Sequence, residues 1–220
     1  MRHQKRMTFE ICDFIVEHHI TAYLELIMAK QAKVLSDAEL KRVHAICDSS
    51  RHAARNKLIL SLSYGAGMRA CEIAALRVGD LASADGSIVD AVYLSASQTK
   101  GSQRQTVYLS NRVRKAVSAY LGDAKQLTAH QMQLKLLQTQ KGGGFTSATI
   151  QQLFRELYRA AGISNASSHS GRRRFITKLA HSGVSTAVIR ELARHQNLAT
   201  TQRYIDVSTD KLRGAVELVS

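Results

Sequence analysis

The sequence contains no proline. Ordinary usage of about 5% would place about eleven in a chain of this length. Helices can therefore run without proline breaks, and glycine is left as the main punctuation. Acidic residues are few, with 17 Asp and Glu against 31 Lys and Arg, a formal net charge of +14. An imbalance of that size predicts a polyanionic partner, nucleic acid first. Long apolar runs are also missing. No stretch approaches the ~20 residues that a membrane helix needs. The basic start at Met1 to Met7 leads into a segment carrying Glu10 and Asp13, which breaks any signal-peptide core. A cytoplasmic location is expected. The three cysteines, Cys12, Cys47 and Cys71, show no paired spacing, so free thiols in a reducing compartment are the default. The histidines show neither zinc-finger nor His-Glu-x-x-His spacing. His18 and His19 are adjacent, which on a helix turns them about 100° apart and makes a poor ligand pair. No metal and no cofactor is expected. The Gly142 to Gly144 run is not followed by Gly-Lys-Ser/Thr, which excludes a phosphate-binding P-loop there. Hydrophobic content of 45% is enough for a packed core.

Hydrophobic periodicity divides what is present. Residues 8–31 read as one helix, with an apolar stripe of Phe9, Cys12, Ile15, Ile20, Tyr23, Leu24 and Ile27. A second helix starts at a capping box, Ser36 to Glu39, with Leu35 and Leu40 placed to form the flanking hydrophobic staple. Helices follow over 53–65 and 69–76, on either side of a Gly65 to Gly67 turn. The period then changes from 3.6 to 2. Val92, Leu94 and Ala96 alternate with Tyr93, Ser95 and Ser97, and Gln105, Val107 and Leu109 alternate with Thr106 and Tyr108. The polar segment between them predicts a β-hairpin with Lys100 at its tip. Further helices are predicted over about 111–121, 129–139, 147–160, 169–181, 185–194, 200–206 and 209–218. The class is mainly α with a small antiparallel β-sheet.

Six residues scattered along this frame fit one chemistry: Arg69, Lys100, His169, Arg172, His195 and Tyr204. Cleaving a phosphodiester without metal needs a nucleophile at phosphorus, cations for the non-bridging oxygens, and an acid for the departing oxygen. Tyr204 can supply the nucleophile. Arg69 and Arg172 offer two planar donor forks suited to phosphate oxygens. His169 and His195 can donate hydrogen bonds or relay the tyrosyl proton near neutral pH. Lys100 can reach the leaving 5′ oxygen. Each residue alone has an ordinary reading: a core tyrosine, a capping histidine, a solvated Arg172-Arg173-Arg174 face, a turn lysine. Their order and local contexts are much harder to obtain by chance. The most specific parts are Gly67-Met-Arg69-x-x-Glu72 and Thr200-Thr-Gln-Arg-Tyr204.

On these motifs the chain resembles the tyrosine recombinase (phage integrase) family over about residues 33–220. The resemblance implies the catalytic-domain fold of that family, the six catalytic roles above, and a 3′-phosphotyrosyl intermediate that needs neither ATP nor metal. It implies Glu72 as an acidic support behind the active site. It implies double-stranded DNA with inverted-repeat recombination sites as partner, and a tetramer on that DNA, with or without helper proteins. Arg104, Arg173, Arg174, Arg194 and Arg203 are expected to face the DNA. A nicking-closing enzyme of the type IB topoisomerase kind shares this chemistry. A non-catalytic DNA-binding regulator is the other rival, because residues 185–206 resemble a helix-turn-helix.

The sequence departs from the family pattern in several places. Members usually have Gly before the second histidine, where this chain has Arg194. In the left-handed conformation that ends many helices, arginine costs roughly 1 kcal/mol more than glycine. Gly171 stands where Leu is common, and Arg174 replaces a common Thr. Members also carry a separate DNA-clamping domain ahead of the catalytic one. Residues 1–32 are too few for an independent core and are expected to form a helical extension on a catalytic domain spanning 33–220.

Overall fold

The computed structural model describes residues 32–99, 101–122, 126–140, 142–202 and 204. The helices expected over 8–31 and 209–218 lie outside the described residues, as do Lys100 and Arg203.

Helix α1 (Asp37–Asp48) starts at the capping box read from sequence. The Glu39 amide donates to Ser36 Oγ at 3.2 Å, and the Ser36 amide donates to Glu39 Oε2 at 2.9 Å. Two of the amides that a helix start leaves unpaired are thereby satisfied. Leu35, just ahead of the box, is buried. Helix α2 (Ala53–Ala66) is the central helix. Leu58, Ile59, Leu60 and Leu62 are all fully buried on it, so it buries more than one face. It ends at Gly67, whose left-handed φ of 62° turns the chain sharply. A Cβ at Gly67 would also meet Phe175 Cδ1 at 2.5 Å. Helix α3 (Ala70–Ala75) and the short α4 (Val78–Leu81) follow at once.

The sheet comes next. Strands β1 (Ala91–Leu94) and β2 (Gln105–Tyr108) pair antiparallel, with Ala91 opposite Tyr108 and Leu94 opposite Gln105. Val92, Leu94 and Val107 enter the core while Tyr93 and Tyr108 face outwards, as period-2 alternation requires. A 3₁₀ turn over Ala96–Gln98 follows β1. Helices α5 (Asn111–Leu121), α6 (Ala129–Gln133), α7 (Ser147–Ala160), α8 (Ser170–His181), α9 (Thr186–Ala193) and α10 (Leu198–Gln202) complete the described part. The mainly helical class with a small two-stranded sheet is therefore the observed one.

One predicted helix is much shorter than expected. Periodicity over 129–139 reads as helix, but α6 stops at Gln133. From there the chain is a bent, non-helical segment with isolated bridges at Lys135 and Gln138, bonded on both sides. Val78 donates to the Leu134 carbonyl at 3.0 Å, Leu136 to that of Leu76 at 2.9 Å, and Phe145 to that of Leu137 at 2.9 Å. Leu136 and Leu137, adjacent in sequence, are both buried, which a bent segment wedged between two neighbours allows. Tertiary pairing overrides local helix propensity here.

Two cores result. The large one joins α1, α2, α3, α5, α7 and the hairpin. The small one is built from Ile176, Ile189 and Ala193, with Phe175, Leu179, Val184 and Tyr204 packed against it. Helix α8 connects them by packing on α2. That approach explains Gly171. A Cβ there would fall well inside contact distance of Ser63 Oγ and only 2.8 Å from Tyr64 Cδ2. Gly171→Ala is expected to push α8 off α2 and cost about 1–3 kcal/mol, the usual range for overpacking. Thermal denaturation checks this; an unchanged Tm would mean that the helices separate freely at that point.

Candidate active site

Four segments distant in sequence converge beside the end of α9. The first is the turn from α2 into α3. Because Gly67 reverses the chain, Arg69 caps α3 and its backbone N–H donates to Glu72 Oε2 at 2.9 Å. The Arg69 guanidinium donates to the other oxygen, Oε1, at 2.5 Å. Glu72 is fully buried. Burial pushes its carboxyl up, but Arg194, the Arg69 amide and the Arg69 guanidinium outweigh burial and hold it below the usual carboxylate range.

The second segment is the start of α8. Arg172 is buried, and its Nη1 donates to the Gly67 carbonyl at 2.7 Å. Its Nη2 donates to the Ala193 carbonyl at the end of α9. Carbonyl dipoles hold this guanidinium by both of its terminal nitrogens. Burial, together with Arg69 and Arg194 nearby, pulls it down to about 9, so it remains charged at neutral pH. His169 caps the same helix from an exposed position. It lines one cleft with Arg69, Gln98 and Thr99.

The third segment is the C-terminus of α9. Arg194 adopts φ 55° and ψ 48°, the left-handed conformation, so this arginine takes the backbone role that glycine fills more easily. Its side chain folds inward. Nη2 donates to Glu72 Oε2 at 2.8 Å and to the Gly67 carbonyl at 3.1 Å. Its own carbonyl accepts from Arg69 Nη2 at 3.3 Å. His195 follows, and its Nδ1 pairs with Thr201 Oγ1 at 2.9 Å. Burial lowers the imidazole to about 4, with Arg172, Arg69 and Arg194 adding to the effect. The ring is therefore neutral at physiological pH.

The fourth segment is the turn after α10. Tyr204 donates its amide to the Thr201 carbonyl at 3.0 Å. Its ring stacks on His195, with centroids 6.0 Å apart and planes 23° apart. The Arg173 guanidinium carbon lies 5.8 Å from the Tyr204 ring centroid, within reach of a cation–π contact.

Arg69, Glu72, Arg172, His195 and Tyr204 are thus brought into one linked cluster, and His169 borders the cleft beside Arg69. The arginines expected on the DNA side differ in placement. Arg104 is exposed and borders a cleft shared with Tyr108 and His195. Arg173 Nη1 donates to the Ala32 carbonyl at 2.8 Å. Arg174 is bonded to the Leu35 carbonyl and paired with Asp37 at the start of α1. Arg194 is folded into the site. The sequence reading missed the carbonyls of Gly67 and Ala193 and the hydroxyl of Thr201. Main-chain acceptors leave no trace in residue identity, but Thr201 lies within the Thr200-Thr-Gln-Arg-Tyr204 motif, three residues before Tyr204.

Because His195 is held neutral in the folded chain, protons bind the unfolded chain more readily between pH 6.5 and about 4. Stability present above pH 6.5 is expected to fall as pH drops through that window. His195→Gln should lose less stability over the same range. Tm measured against pH for both proteins checks this; equal losses would mean the ring is not held neutral.

Comparison with known proteins places this geometry. The model of the phage integrase family matches residues 33–211. The tyrosine recombinase XerC of Bacillus pumilus is 32% identical over 185 residues, covering 81% of this chain and 58% of that protein. The tyrosine recombinase XerA of Pyrococcus horikoshii is 29% identical over 185 residues, covering 84% of this chain and 60% of that protein. The chain thus spans about three fifths of the length of these relatives. Among solved structures, a XerA recombinase crystal structure aligns with a TM-score of 0.63 at 25% identity, covering 86% of this chain and 65% of that one. The Tn1549 transposon integrase in complex with circular intermediate DNA aligns with a TM-score of 0.66 at 17% identity, covering 87% of this chain and 68% of that one, a likeness of fold. By sequence and by fold, this chain belongs to the phage integrase family of tyrosine recombinases.

Proposed function

We propose that this chain cuts and rejoins DNA strands in site-specific recombination, with Tyr204 as nucleophile. The observation that carries the reading is the convergence itself. Two buried or half-buried guanidiniums and a neutral imidazole surround a partly buried tyrosine, on segments up to 135 positions apart (69 to 204). The phenolic oxygen attacks phosphorus, a bond forms to the 3′ phosphate, and the bond to the 5′ oxygen breaks. Arg69 and Arg172 neutralise the non-bridging oxygens as charge builds on them. Neutral His195 can accept the phenolic proton or hydrogen-bond a phosphate oxygen, and His169 borders the same cleft. Lys100 is proposed to protonate the departing 5′ oxygen. The covalent bond conserves the phosphodiester energy, so rejoining is the reverse displacement and needs no nucleotide.

The charge balance supports an anionic ligand. Arg69, Arg172 and Arg194 face a single carboxylate, Glu72, which leaves an excess of two positive charges in the cluster (three less one). A phosphodiester supplies negative charge at that place. The XerC and XerA relatives carry the name tyrosine recombinase, and the Tn1549 integrase was solved on DNA. Double-stranded DNA with paired inverted sites, and a tetramer assembled on it, follow as the proposed substrate and assembly. Arg104, Arg173 and Arg203 are the proposed additional DNA contacts.

Incubation with a nicked duplex, followed by denaturing gels, tests this. Wild type should trap a covalent adduct that EDTA leaves intact. Tyr204→Phe should bind the duplex but form none, because only the phenolic oxygen is removed. Arg69→Ala and Arg172→Ala should each slow adduct formation by about 10²-fold or more. An adduct in Tyr204→Phe, or a strict magnesium requirement, would contradict the assignment. Adduct formation without exchange between paired sites would indicate a nicking-closing enzyme instead.

A further inference from the structure

Arg194 is the residue whose placement the roles above leave unexplained. It sits in a left-handed conformation that side chains rarely adopt, at a helix end where glycine would carry no strain. It does not direct its charge outward. Its guanidinium is buried, spans Glu72 Oε2 and the Gly67 carbonyl, and turns Nη1 back to the Leu192 carbonyl at 3.1 Å. Its Nε is buried without a partner, so the side chain accepts an unmet donor to hold this pose.

The partners show what that pose accomplishes. Glu72 and Gly67 belong to the turn that also holds the two arginines of the cleft: Glu72 binds Arg69, and the Gly67 carbonyl accepts from Arg172. In the other direction, the α9 terminus offers the Ala193 carbonyl to Arg172 and the Arg194 carbonyl to Arg69. Both carbonyls lie at the helix end, where main-chain acceptors have no intrahelical partner, and His195 is the next residue. Beyond it, His195 is bonded to α10 through the Thr201 hydroxyl on Nδ1 and stacks on the Tyr204 ring, which also packs on the small core and meets Arg173. Helix α10 is a single short helix of five residues, too short to be stable alone. A cross-tie from the α9 terminus to the α2–α3 turn therefore fixes where His195, and through it Tyr204, stands relative to the arginines.

We propose that Arg194 is a positioning residue, which locks the segment carrying His195 and Tyr204 onto the Arg69–Glu72 turn in the DNA-free protein by bridging to Glu72. The inference rests on the cleavage chemistry proposed above but concerns the assembly of the site rather than its reaction. It makes the second oxygen of Glu72 a joint between two halves of the active site. It also gives a role to an arginine in a position where the backbone favours glycine: the bridge to Glu72 specifies the geometry of the site.

The substitution Arg194→Gly separates the two functions of the residue, because glycine keeps the left-handed turn and deletes the bridge. Three measurements on the full chain then decide. Single-turnover adduct formation at saturating DNA should fall by roughly tenfold or more, while duplex affinity stays within a few fold. In the Glu72→Gln background, Arg194→Gly should add less than about threefold, since the partner of the bridge has already been lost. Arg194→Lys, which restores a cation opposite Glu72, should recover part of the rate. Equal losses in both backgrounds, or a rate like wild type, would overturn the proposal. So would a weaker duplex affinity with a salt slope reduced by about one, which would make Arg194 a phosphate contact. Hydrogen exchange in the DNA-free protein stands apart from activity. Amides over residues 195–202 should exchange faster in Arg194→Gly while those of α2 keep their protection. Unchanged exchange over 195–202 overturns the bridge even if wild type forms no adduct, whereas absence of a wild-type adduct with faster exchange removes the cleavage chemistry and leaves the bridge standing.

Discussion

A buried carboxylate governs this site. Glu72 has no exposure to solvent, and an isolated ionised carboxylate there would be strongly unfavourable. It is tolerated because three donors meet it: the Arg69 amide, the Arg69 guanidinium and the Arg194 guanidinium. Each of these commits a different piece of chain. The amide fixes the first turn of α3, the Arg69 side chain is held at the mouth of the cleft, and Arg194 draws in the end of α9. Buried ion pairs of this kind add little net stability over an apolar replacement, but losing one partner leaves an uncompensated charge. Their contribution is to specify a single geometry, and here that geometry is the proposed active site.

The rest of the fold serves that arrangement through two tight approaches. Gly67 lets α2 reverse into α3 under the ring of Phe175, which presents its carbonyl to both Arg172 and Arg194. Gly171 lets α8 lie against α2 at Ser63 and Tyr64, which brings Arg172 to that carbonyl. Neither helix could approach so closely with a side chain at those points. Tyr204 is then seated by a separate small core of α8 and α9 rather than by the main one. Tyr204, the proposed nucleophile, thus rests on fewer packed residues than the arginines do, and local opening is easier where buried apolar contacts are few.

Much of this was legible in the sequence, for identifiable reasons. The capping box at Ser36 and the period-2 runs flanking Lys100 are local signals, and a helix start and two paired strands stand there, although the first run ends at Leu94 and turns as a 3₁₀ helix over Ala96–Gln98, and the turn read over Gly65 to Gly67 begins only at Gly67. Arg69, Glu72, Arg172, His195 and Tyr204 were recognisable because motif spacing survives in one dimension. The region after Gln133 was not legible: its non-helical form is set by Leu76, Val78 and Phe145, none of them a sequence neighbour. Arg194 was half legible. The strain of an arginine in a glycine position could be foreseen, but its inward turn towards Glu72 could not, because the two residues lie 122 positions apart. Cationic residues near a DNA-binding motif invite a surface reading. Only packing reveals that Arg174 is tied to Asp37 and Arg194 to Glu72.

If the buried carboxylate of Glu72 organises the proposed active site through Arg69 and Arg194, removing its charge without changing its shape should disable chemistry more than binding or folding. The direct measurement is the single-turnover rate of covalent adduct formation by Glu72→Gln on a nicked duplex, with duplex affinity measured alongside. A rate lower by about 10²-fold is expected, because Arg69 and Arg194 lose their common anchor, with affinity changed by only a few fold. A rate equal to wild type would contradict it and would mean that the arginines are placed by their carbonyl contacts alone.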